Sequence, residues 1–122
     1  MQASDNRVEE HLAVLRRNYI GNLPAKLAEF DQQHGLLQTA TDMSVIVANL
    51  RGLAHKLAGS AGTFGCPEVS SAARNYEWIL REAALEPDCS VNIDIIHSGH
   101  QALKHAVAQT LLLNTNDQCR KQ

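Results

Sequence analysis

A chain of 122 residues with a formal net charge of −2 is sized for one domain with a core of its own. Eleven Lys and Arg set against 13 Asp and Glu exclude nucleic-acid binding through a basic surface. No apolar run approaches the ~20 residues of a membrane span, and Met1–Arg7 lacks the charged-then-apolar pattern of a signal peptide, so a cytoplasmic, non-membrane protein is expected.

Periodicity is helical throughout, and no segment alternates as a strand would. The first helix is expected to start after Ser4 or Asp5, with Val8, Leu12, Leu15 and Tyr19 on one stripe. Gly21-Asn22-Leu23-Pro24 interrupts it. Pro24 in a first turn restarts the helix through about His34, and Leu23, Leu27 and Phe30 continue the stripe, which predicts one kinked or split helix. Gly35 is the expected stop.

The second long helix follows the cap-type residues Thr41, Asp42 and Ser44 and should run to about Phe64, ending at Gly65. Cys66-Pro67-Glu68 opens a third helix, whose apolar face is Val69, Ala72, Ala73, Tyr76, Ile79, Leu80 and Ala83, and which stops before Pro87. A fourth begins near Asp88 or Ser90 and carries Ile95 or Ile96, Gly99, Leu103, Ala106, Val107 and Leu111 inward. The tail 114–122 is polar and expected to fray. Short connections between long amphipathic helices predict an all-α, up-and-down antiparallel four-helix bundle with a kinked or split N-terminal helix. One domain covers 1–122, with its core at about 5–113. Cys66, Cys89 and Cys119 have no paired spacing and read as free thiols.

The chemistry gathers in His55-Lys56-Leu57-Ala58-Gly59-Ser60-Ala61-Gly62-Thr63-Phe64-Gly65. Stepping ~100° per residue, Ile46, Leu50, Leu53, Leu57, Ala61 and Phe64 share one face. His55 lies opposite, among Ala48, Arg51, Gly52, Ala58, Gly59 and Gly62. Each interior Gly costs a helix ~1 kcal/mol relative to Ala, so a face that accepts several around one imidazole looks cleared for an approaching partner. A neutral imidazole has one nitrogen free as a nucleophile, which suits covalent carriage of a phosphoryl group. Lys56 can reach toward a phosphate as a mobile point charge, and Arg51 flanks the same face. The competing reading makes the glycines a device for close helix packing. A phosphate loop is excluded by the missing GxxxxGK[ST] spacing and the missing strand.

Ala54-His55, Leu57, Gly59-Ser60-Ala61-Gly62 and Phe64-Gly65 resemble the signature of histidine-containing phosphotransfer (HPt) domains. Tyr19, Leu23-Pro24 and Leu27 upstream, with Pro67-Glu68-Val69 and Ala72-Ala73 downstream, extend the resemblance over most of the chain. It implies a four-helix bundle in which His55 is the exposed phosphoacceptor and Gly59 leaves room for the partner. Many members carry Lys three positions after the histidine, where Ala58 stands here; Lys56 is the available substitute. Glu77 matches a position that orients the imidazole, although it also reads as an ordinary solvated glutamate.

The function expected from this is a phosphorelay carrier, not an autonomous kinase. It would accept a phosphoryl group from a receiver-domain phospho-aspartate or a sensor kinase and pass it to the aspartate of a response-regulator receiver. The alternative is a non-phosphorylated helical module that sequesters a receiver or a kinase. Docking is expected around Arg51, Gly52, Ala58, Gly62 and Thr63, with Lys56, Gly59 and Glu77 next to the phosphate. No intrinsic cofactor is expected, and Mg2+ should arrive with the receiver, because the chain offers no acidic cluster to hold it. A monomer is expected. No metal site is expected either: His97, His100 and His105 read as a solvated face. Trp78 reads as a partly buried bundle residue or a partner-facing anchor.

Overall fold

The structure, a computed structural model, describes residues 2–37, 39, 42–85 and 93–120. Five helices follow in order: α1 (Gln2–Gly21), α2 (Leu23–Leu37), α3 (Met43–Thr63), α4 (Pro67–Ala84) and α5 (Ile93–Arg120). There is no strand among the described residues. α1 and α2 are the two pieces of the split first helix. Asn22 N bonds Asn18 and Tyr19 carbonyls and Lys26 N bonds Asn22 O, so the ladder bends through the break, where Pro24 has no N–H to give. α2, α3, α4 and α5 each pack against the next, and α5 closes back onto α2. The result is the expected four-helix arrangement.

Local chemistry sets the boundaries nearest the site. Asp42 caps α3, accepting from Ser44 N at 3.0 Å. At the other end Gly65 takes φ +72°, a left-handed conformation that glycine adopts without Cβ strain, and Pro67 then opens α4 at its first position. α3 and α4 are thereby folded back on each other through a three-residue turn. The core holds Ile20, Leu23 and Phe30 from the split helix and Val47, Leu50, Ala54 and Ala61 from α3. Val69, Tyr76 and Leu80 come from α4, and Ile96, Leu103 and Val107 from α5.

Several sequence expectations need correction. α1 starts at Gln2, ahead of the expected Ser4 or Asp5. α2 passes through Gly35 to Leu37, because the extra half-turn buries Leu37. α5 continues through Arg120, since 114–120 contains neither Pro nor Gly to stop it. The stripe on α1 is largely uncovered: every described side chain from Arg7 to Asn18 is exposed, Val8 and Leu12 both at 58%. Burial begins only at Tyr19, which stacks on Phe64 with centroids 4.7 Å apart. The expected cap at Asp88 or Ser90, Thr41 and Cys89 lie outside the described residues, as does the side chain of Cys119.

The late histidines are not a solvated face. His100 is buried and stacks on buried His34, centroids 3.9 Å apart. His97 leans on His34 at 5.1 Å, while His105 is exposed. His34 Nε2 bonds the Tyr76 hydroxyl and its Nδ1 has no partner. His100 Nε2 lies 2.8 Å from Asp31 Oδ1. Burial, reinforced by the neighbouring His100, pulls the His34 pKa down to about 4. Burial also lowers His100. Among the described residues no three His, Cys, Asp or Glu side chains are grouped to hold a metal ion.

Candidate functional site

His55 stands midway along α3 on the turn after Arg51-Gly52, with its side chain 77% exposed. Its Nδ1 lies 3.0 Å from Oε2 of Glu77 on α4, whose side chain is only 18% exposed. A carboxylate accepts, so Nδ1 carries the proton and donates. That fixes the neutral tautomer in which Nε2 holds the lone pair, and Nε2 sits across the ring from the engaged nitrogen. Arg81, one turn further along α4, reaches the same Glu77 oxygen at 3.8 Å. The carboxylate is thus shared between the imidazole and a guanidinium.

The space around the ring is open by construction. A Cβ built on Gly52 or Gly59 would meet nothing within 4 Å, and one on Gly62 would come no closer than 3.5 Å to Ser70 Oγ. The fold therefore does not need glycine at 52 or 59. Gly99 is the contrast: its Cβ would stand 2.7 Å from the Tyr76 ring, so packing of α5 on α4 does require glycine there. Thr63 is exposed, and its hydroxyl bonds back to Gly59 O at 3.0 Å.

Not every residue expected on this face is there. Ala58 is 5% exposed, and its carbonyl accepts from Ser70 Oγ at 2.9 Å. Three residues past His55 is −60° around the helix, which turns position 58 into the close α3–α4 contact instead of outward. Lys56 is exposed but turns the other way, into a groove of about 590 Å3 between α2 and α3 lined also by Glu29, Gln32, Gln33 and Asn49. Arg51, half-exposed, lines a smaller hollow of about 290 Å3 with Ala48, Gly52, His55 and Glu77. Trp78 is 57% exposed on α4, not partly buried in the bundle. Sequence reasoning misses Arg81, although its i,i+4 spacing from Glu77 is the signal that would find it.

No helix among the described residues is long and apolar enough to cross a membrane. A family model described as Hpt domain matches residues 7–111. No curated protein and no solved structure matches the chain.

Proposed function

The chain belongs to the Hpt domain family, whose work is histidine phosphotransfer in phosphorelays, and from that premise we propose that His55 is the phosphoacceptor. The observation that carries the assignment is the 3.0 Å contact between His55 Nδ1 and Glu77 on an otherwise open ring. It leaves Nε2 as an accessible nucleophile with a defined tautomer.

In the proposed reaction a receiver domain seats its phospho-aspartate over Nε2. The Nε2 lone pair attacks phosphorus in line with the acyl oxygen. The N–P bond forms, the P–O bond to the aspartate breaks, and the aspartate leaves as a carboxylate. The ring becomes an imidazolium that keeps its Nδ1 proton against Glu77, so the new positive charge is met where it appears. Transfer to a second receiver reverses these steps onto another aspartate. The open positions at Gly52 and Gly59 let the partner approach the ring. The partner supplies the aspartate and the Mg2+ bound beside it, so neither is asked of this chain.

The test is transfer from a phosphorylated receiver domain, read as acid-labile, alkali-stable label on this protein, in parallel with His55→Gln. Label on the wild type and none on the variant is expected. A wild type that binds the receiver but takes no label would favour the sequestering module instead.

A further inference from the structure

A phosphoryl group on His55 adds roughly 1.5–2 negative charges beside the Glu77 carboxylate, which already holds the ring at 3.0 Å. The imidazolium formed with it offsets only part of that charge, and a second cation beside the ring would offset the rest. Three side chains stand near enough to be considered: Arg81 from α4, and Lys56 and Arg51 from α3. Arg81 is committed to Glu77 Oε2. Lys56 lines the α2–α3 groove and does not border the hollow that contains His55 and Glu77.

Arg51 does border that hollow, and it makes no hydrogen bond or ion pair among the described residues. It precedes His55 by four residues, so the two Cβ atoms stand one above the other, about 5–6 Å apart. Helical side chains lean toward the N-terminus, which carries the imidazole over the turn that bears Arg51. Gly52 in the same wall contributes no side chain, and the space beyond its Cα is empty.

Resting on the phosphoacceptor role of His55, we infer that Arg51 is the cation that neutralises the phosphoryl group carried there. Its planar fork matches two phosphoryl oxygens at once, which a lysine ammonium cannot do. Lys56 does not hold this place.

The experiment needs no partner protein. Potassium phosphoramidate phosphorylates exposed imidazoles: Nε2 attacks phosphorus, the N–P bond to ammonia breaks, and the imidazolium formed keeps Nδ1–H on Glu77. The 31P resonance of phospho-His55, assigned by its loss in His55→Gln, is then titrated in the wild type, Arg51→Ala and Lys56→Ala. A neighbouring cation disfavours the protonated phosphoimidazolium and lowers the midpoint of this titration, so Arg51→Ala should raise the midpoint by about half a unit or more, with a smaller shift in Lys56→Ala and recovery in Arg51→Lys. An Arg51→Ala titration equal to the wild type overturns the inference, as does an equal or larger shift in Lys56→Ala. A wild type that takes no phosphoryl group on His55 overturns the phosphoacceptor reading itself, a separate result from either of these.

Discussion

His55 gives its Nδ1 proton to Glu77 at 3.0 Å, across the α3–α4 groove. This one contact chooses which ring nitrogen holds the lone pair. Arg81, 3.8 Å from the same carboxylate oxygen, holds the acceptor in place. Replacing Glu77 by Ala releases the ring, and both neutral tautomers should then appear in 15N spectra of the His55 side chain. Transfer should slow by about fivefold, the worth of roughly 1 kcal/mol for a partly exposed, charge-assisted bond. Glu77→Gln keeps an acceptor oxygen and should retain the Nδ1–H tautomer. A mixed tautomer population in the wild type would sink the orienting role.

Stability and function should separate at the glycines. Gly59→Ala adds a Cβ that meets nothing within 4 Å and removes a helix penalty of ~1 kcal/mol, so thermal melting should rise by about 3–4 °C. On the proposed reading the same methyl group stands in the receiver's path, so transfer from a phosphorylated receiver should fall. Gly99→Ala should do the opposite on stability. Its Cβ meets the Tyr76 ring at 2.7 Å and Ile79 Cδ1 at 3.1 Å, which predicts a loss of about 1–3 kcal/mol from overpacking. Melting curves of the two variants side by side check both signs.

Features set by neighbours within a few residues of chain are legible in the sequence. The cap of α3, which falls on Asp42 out of the three cap-type residues there, the turn at Gly65 and the start at Pro67 are local chemistry, and each lies where the sequence points. The exposure of His55 follows from the same helical phase. What is not legible depends on which helix covers which face. Ala58 shares the small-residue surroundings of His55, yet α4 leans on it and buries it. His34 and His100 lie on different helices, so no spacing rule stacks their rings. The α1 stripe shows the converse, since Val8, Leu12 and Leu15 mark a face that stays largely exposed.

That uncovered stripe makes a prediction of its own. Leu12, 58% exposed, and Leu50, fully buried, are the same residue type on helices of the same chain. Leu12→Ala should change unfolding free energy by no more than about 0.5 kcal/mol. Leu50→Ala opens a cavity between α3 and its neighbours and should cost about 2–5 kcal/mol. Urea titration distinguishes these outcomes. A large loss at Leu12 would mean that α1 is packed in solution against something on that face.

The buried imidazoles predict how the bundle responds to acid. His34 titrates at about 4 in the folded protein, because burial and then the neighbouring His100 disfavour its charged form, against about 6.5 in the unfolded chain. Between those values the unfolded state binds more protons, so unfolding free energy rises with pH across that window. Stability should therefore be intact above about pH 6.5 and decline as pH falls toward 4. For His34 alone the loss amounts to roughly 2–3 kcal/mol. His100, lowered by burial while Asp31 pulls the other way, adds to the decline with the same sign. Lys104, 3.9 Å from Asp31, supplies a further positive charge that opposes protonation of both rings. His34→Gln removes one titrating group from the stack, and its unfolding free energy should fall less steeply between pH 6.5 and 4 than that of the wild type. Parallel slopes in that window would show that His34 is already charged in the folded bundle or that the α2–α5 contact opens before it titrates.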